Sequence, residues 1–204
     1  MMTLRTLPYL LACLVLVIAI MPAKAAVEIG KPAPAIKTTD INGNDFNLED
    51  HKGKIVVLEW FNKGCPFVQK HYNSNNMQEL QKTANEKGVE WVTIISSAEG
   101  KQGYVTPEEA KADLETFNAS PSALLLDPSG EIGNAYGAKT TPHMFVIDTE
   151  GNVAYAGAID NNSSPNPDVI PESKNYVMDA IDALQAGNTV QTSETAPYGC
   201  GVKY

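Results

Sequence analysis

Arginine is almost missing from this sequence: Arg5 is its only instance, and every later positive charge is a lysine. Lysine is a poor substitute where a planar, bidentate donor must grip a carboxylate, phosphate or peroxide. The charge balance is acidic, with 15 Lys and Arg against 24 Asp and Glu. An acidic, arginine-poor surface excludes nucleic acid and anionic membrane as partners, because both need a basic footprint. Cysteine is scarce as well, with Cys13, Cys65 and Cys200 only. A chain of this size buries enough apolar surface to fold without a disulfide. Long hydrophobic runs are limited to Leu7 to Met21, about 15 residues where a membrane span needs about 20.

That run, preceded by Arg5 and followed by Ala23-Lys24-Ala25, has the pattern of an export signal with cleavage expected after Ala25. Residues 1–25 are therefore set apart as a signal peptide, Cys13 leaves with them, and no membrane attachment is expected after cleavage. Loss of Arg5 and Lys24 leaves 13 basic residues against 24 acidic ones, a charge of about −11. The remaining chain is expected to be periplasmic or secreted. There an oxidising compartment allows Cys65 and Cys200 to bridge.

What remains reads as one domain, 26–187, with a tail, 188–204, that lacks periodicity and carries Cys200. Pro32 and Pro34 keep the start extended, and Asn42-Gly43 between Ile36–Thr39 and Phe46 reads as a small hairpin. Ile55 to Phe61 is an almost unbroken apolar run of strand length, expected at the centre of a sheet. A helix is predicted from Pro66 to about Lys87, closing at Gly88, then a strand over Val89–Ser96. Thr106-Pro107-Glu108-Glu109 is a capping box opening a helix that ends near Asn118. A short strand at Ala123–Leu126 and a helical turn at Ile132–Tyr136 follow. His143–Asp148 and Val153–Ala158 then form a hairpin, and a helix begins near Tyr176 and stops at Gly187. The element order predicts an α/β fold: one central mixed sheet flanked by helices, parallel in its first half and antiparallel in its second.

Cys65 falls between the end of the central strand and the start of a helix. Unpaired amides and the helix dipole favour a thiolate there, lowering its pKa from about 8.5 toward 7. Lys63 and Lys70 are candidates to add positive potential. The strand, Trp60, the Asn-Lys-Gly spacer, Cys65-Pro66-Phe67-Val68 and a later Thr141-Pro142 before a hairpin together resemble the thioredoxin fold. The resemblance is narrower to its redoxin, thiol-specific antioxidant or peroxiredoxin-like branch, in which an N-terminal β-hairpin precedes the core. It implies that Cys65 is the attacking cysteine, that Pro142, after Thr141, is the cis-proline packed beside it, and that no flavin, haem or nucleotide cofactor is needed. It further implies a protein thiol or disulfide, or a peroxide, as substrate, and an external thiol as reductant.

The departures from that pattern narrow the chemistry. Position 68 is valine, so no local disulfide can form. Asn62 occupies the place three before Cys65 where ordinary peroxiredoxins carry threonine, and the arginine that would orient a peroxide is missing. Cys200, between Gly199 and Gly201 in an accessible and flexible tail, is the remaining internal partner for Cys65. It is a resolving thiol, a permanent staple of the tail, or a free thiol unrelated to Cys65. An alternative reading takes Cys65, His71 and His143 as ligands of Cu(I) or Zn in a binding module without turnover, with His51 left solvated. Trp60 and Phe61 read as core. Asp160 to Asp168 lacks the spaced ligands of a calcium loop. Glu59, inside the apolar strand, is either a buried carboxylate able to move protons or an edge residue.

Overall fold

The structure is a computed structural model that describes residues 27–204. The expected export signal, its cleavage point and Cys13 lie outside the described residues. The chain opens with a hairpin, β1 (Lys37–Thr39) and β2 (Asp45–Asn47), whose turn is tied by Asp40 to the amides of Asn42 and Asn44, each at 2.8 Å. A five-stranded sheet follows, built from β3 (Val56–Trp60), β4 (Glu90–Ile95), β5 (Ala123–Leu126), β7 (His143–Ile147) and β8 (Val153–Gly157). Its order is β5-β4-β3-β7-β8. The β3-β4 and β4-β5 pairs are parallel, while β3-β7 and β7-β8 are antiparallel.

All five residues of β3 are buried, as a central strand covered on both faces requires. Its alternating side chains divide the core into two layers. Val57 and Phe61 pack on one face with Val68, Tyr72, Met77 and Ile181 from helices α1 (Pro66–Asn73), α2 (Asn76–Glu86) and α5 (Tyr176–Gln185). Val56, Leu58 and Trp60 pack on the other with Ile36 and Phe46 of the hairpin region and Tyr136 of α4 (Glu131–Tyr136). Helix α3 (Pro107–Phe117) begins with the expected capping box: the Glu109 amide donates to Thr106 Oγ1 at 3.3 Å, and the Thr106 amide to Glu109 Oε2 at 2.8 Å.

Two expectations need correction. The single helix over 66–87 is two helices, because Ser74 turns its hydroxyl back onto the Lys70 and His71 carbonyls at 2.7 and 3.2 Å. Asn75 then takes a left-handed conformation, φ 63°. The tail is not a free, flexible segment either. It lies across the domain as a strap, with Cys200 and Gly201 forming β9 against β6 (Thr140–Thr141).

Candidate active site

Cys65 caps the N-terminus of α1, extended at φ −87° and ψ 123°, and Pro66 occupies the first helical position. The sharp exit from β3 is held by Asn62, whose Oδ1 accepts from the Gly64 amide at 2.9 Å and whose side chain donates to the Gln102 carbonyl at 3.1 Å. On the facing loop the Thr141-Pro142 peptide is cis. The Cys65 thiol donates to the Thr141 carbonyl at 2.9 Å. Thr141 and Cys200 are register partners in the β6-β9 ladder. The loop carbonyl that accepts from Cys65 thus belongs to the residue paired with Cys200, which brings Cys200 to the side of Cys65. Both cysteines are free thiols. Cys65 has no exposed surface, and Cys200, half-buried, is part of what covers it.

This environment separates the two thiols. Burial pushes the Cys65 thiol up, but the thiol and amide of Cys200, the Thr141 hydroxyl and the Val68 amide all favour the anion, and the net direction is down. The Thr141 carbonyl serves the protonated form only, and those four donors take over when the proton leaves. Cys200 is pushed up to about 11, by burial and then by its hydrogen bond to Cys65 and the negative charge there. Of the two thiols Cys65 gives up its proton the more readily, and Cys200 holds its own. Lys63 and Lys70 do not supply this bias as expected, because each is committed elsewhere: Lys63 to Asp113 at 3.0 Å and Lys70 to Asp160 at 3.2 Å.

The candidate metal ligands do not come together. Along β7, Met144 and Val146 face the layer that contains Cys65, whereas Phe145 and Ile147 face the other. His143 shares the Phe145 face, its ring 4.5 Å from that of Phe145, and lines a cavity of about 610 Å³ with Tyr136, Lys139 and Thr195. Following Pro142 in sequence therefore puts His143 across the sheet from the sulfur. His71 lies on α1, with Nδ1 2.8 Å from Asn76 Nδ2 and Nε2 3.3 Å from Tyr198 Oη. Among the described residues, no three His, Cys, Asp or Glu side chains cluster as a metal site.

Glu59 is fully buried in the central strand rather than at an edge. It accepts from Tyr72 Oη at 2.8 Å, Trp91 Nε1 at 2.8 Å and Thr93 Oγ1 at 3.2 Å. Burial raises its pKa against these donors. Sequence reasoning missed Tyr198 and Asp160 as site residues. Tyr198 sat in a segment without periodicity, and Asp160 opened a loop of Asn, Ser and Pro. The nearest signal was Tyr198 lying two residues before Cys200.

Comparison with known proteins fits this geometry. Over 127 residues the chain is 33% identical to the thiol-disulfide oxidoreductase ResA of Bacillus thuringiensis subsp. konkukian, covering 62% of this chain and 68% of that protein. An uncharacterized conserved protein from Geobacillus kaustophilus has a similar structure, with a TM-score of 0.73, 28% identity, and coverage of 87% of this chain and 92% of that one. The thioredoxin domain of a thiol-disulfide oxidoreductase from Bacteroides vulgatus shares the fold at 21% identity and a TM-score of 0.52, over 72% of this chain and 98% of that one. Residues 29–156, which carry β3, Cys65 and the cis Thr141-Pro142 bond, match the AhpC/TSA family, and the chain belongs to that family, on a thioredoxin-like fold.

Proposed function

We propose that this thiol-based oxidoreductase works by a two-cysteine cycle in which Cys65 attacks and Cys200 resolves. The observation that carries this reading is the pairing of β9 with β6, which holds a free Cys200 thiol against a free Cys65 thiol. In the first step the Cys65 thiolate attacks one sulfur of a substrate disulfide, the old S–S bond breaks, and the departing thiolate takes up a proton. In the second, Cys200 loses its proton and attacks the Cys65 sulfur. The substrate thiolate leaves and a Cys65–Cys200 disulfide remains. An external thiol reductant then restores both thiols, and no flavin, haem or nucleotide takes part.

A second reading replaces the disulfide with a peroxide, which oxidises Cys65 to a sulfenic acid that Cys200 condenses to the same bridge with loss of water. The complete cover over Cys65 favours a small substrate of this kind. The export pattern of residues 1–25 supports action outside the cytoplasm.

Mass-tag alkylation across a redox series tests the cycle. A reversible Cys65–Cys200 bridge is expected with a potential above about −300 mV. A lower potential would mark a permanent staple and overturn the resolving role. Cys65→Ser should abolish turnover, and Cys200→Ser should trap a mixed disulfide. Reduction of insulin against reduction of cumene hydroperoxide separates the two substrates.

A further inference from the structure

The strap that carries Cys200 is pinned on both sides of it. Upstream, Thr195 accepts from the Ala158 amide at 2.9 Å, its hydroxyl lies 2.6 Å from that of Tyr155, and its amide donates to the Ala156 carbonyl at 3.1 Å. Downstream, the Val202 amide donates to the Lys139 carbonyl at 3.1 Å, and Tyr204 Oη donates to the Ala138 carbonyl at 2.8 Å. Between them lies a contact of a different kind. Lys70 and Asp160 form an ion pair whose side chains are 0% and 4% exposed. Tyr198 Oη donates to Asp160 Oδ1 at 2.5 Å, and Lys70 Nζ sits 5.4 Å from the Tyr198 ring centroid. Asn76 Nδ2 donates to His71 Nδ1, so the Nε2 proton of His71 points at the Tyr198 oxygen at 3.3 Å. The Tyr198 ring also lies 5.8 Å from that of Phe67, two residues beyond Cys65 on α1.

We propose that Tyr198, seated on the buried Lys70–Asp160 pair, is the latch that sets the position of the Cys200 thiol over Cys65. The proposal rests on the two-cysteine reading above. A substrate disulfide cannot reach a thiol with no exposed surface while β9 is in place. The short segment 198–201 must lift for the first step and return for the second. Its flanks stay held by Thr195 and Tyr204, so the excursion is local. Tyr198 is a positioning residue: its hydroxyl bonds to Asp160 rather than to either sulfur, and it acts through Cys200. A hydrogen bond to a charged group shifts such an equilibrium by about ten- to a hundredfold, so loss of one hydroxyl should be measurable.

The test compares the reduced chain with Tyr198→Phe and Tyr204→Phe, each shown folded by circular dichroism, using oxidised glutathione as the disulfide. The Cys65 thiolate breaks its S–S bond and releases one glutathione thiolate, and Cys200 then releases the second as the Cys65–Cys200 bridge closes. Rapid acid quench and mass spectrometry read both steps. With Tyr198→Phe, Cys65 should glutathionylate about tenfold or more faster and the bridge should close slower, so that the mixed disulfide accumulates. A chain that is merely loosened would behave alike in both variants, and equal effects of Tyr198→Phe and Tyr204→Phe would overturn the latch. If the wild type closes the bridge and Tyr198→Phe closes it at the same rate, the latch alone falls. If the wild type never closes it, the two-cysteine cycle falls first.

Discussion

Gly199 lies against the Thr141 carbonyl so closely that a Cβ would overlap both the oxygen and the carbon, at a backbone φ of 136°. The β9 strand can meet the cis-proline loop only because this position has no side chain. Gly199→Ala should therefore lift Cys200 off Cys65, and closure of the bridge by oxidised glutathione should slow by at least about tenfold, since a residue forced into that region costs on the order of 1–3 kcal/mol. Quenched alkylation checks it; an unchanged rate would show that the strap adapts.

Donors from Cys200 and Thr141 favour the Cys65 anion. The pH profile of Cys65 alkylation should thus have a midpoint below the ordinary thiol value of about 8.5. Cys200→Ala removes the thiol donor, and the midpoint should move up. Cys200, pushed up to about 11, should label only at high pH. Iodoacetamide rates followed by peptide mass spectrometry separate the two sites.

Glu59 satisfies Tyr72, Trp91 and Thr93 at once. Glu59→Leu leaves those three buried donors unpaired and should destabilise the chain by about 2–5 kcal/mol, whereas Glu59→Gln keeps one acceptor and should cost less. Urea denaturation gives both values. A Glu59→Leu chain as stable as the wild type would mean that the three donors find other partners.

His71 and His143 are held neutral by burial, with pKa lowered to about 4 and about 3. Between those values and the unfolded value of about 6.5 the unfolded chain binds more protons, so stability present at neutral pH is lost as pH falls. Each histidine contributes a fall of up to roughly 3–5 kcal/mol across its window. Thermal melts should show Tm dropping from pH 7 to pH 4.5, and His143→Asn should flatten the drop. An equal slope in that variant would place the pH dependence elsewhere.

The parts of this protein that local patterns encode were legible in its sequence. The almost unbroken apolar run at Ile55–Phe61 read as a buried central strand, and Thr106-Pro107-Glu108-Glu109 carried its own cap. Cys65 was legible for the same reason, since strand, spacer and proline are neighbours in the chain. The rest depended on distance. The β6-β9 pair joins residues about sixty positions apart and is two residues long, too short to leave a period. Asp160 reads as one more polar loop residue until Lys70, ninety positions away, is seen buried against it. The expected approach of His143 to Cys65 followed the chain, and strand alternation overrode it: neighbours in a strand face opposite ways.

The seat of Tyr204 has a consequence for spacing. Its ring fills the room left by Gly130 and Gly133, so the strap has a second point of attachment to the body beyond Cys200, apart from the Tyr198 seat before it. Six residue steps join those two aromatic pegs, and in extended chain each step turns the side chain to the opposite side. The segment is therefore a ruler as much as a tether. One residue more between Tyr198 and Cys200 would turn the second sulfur away from the first.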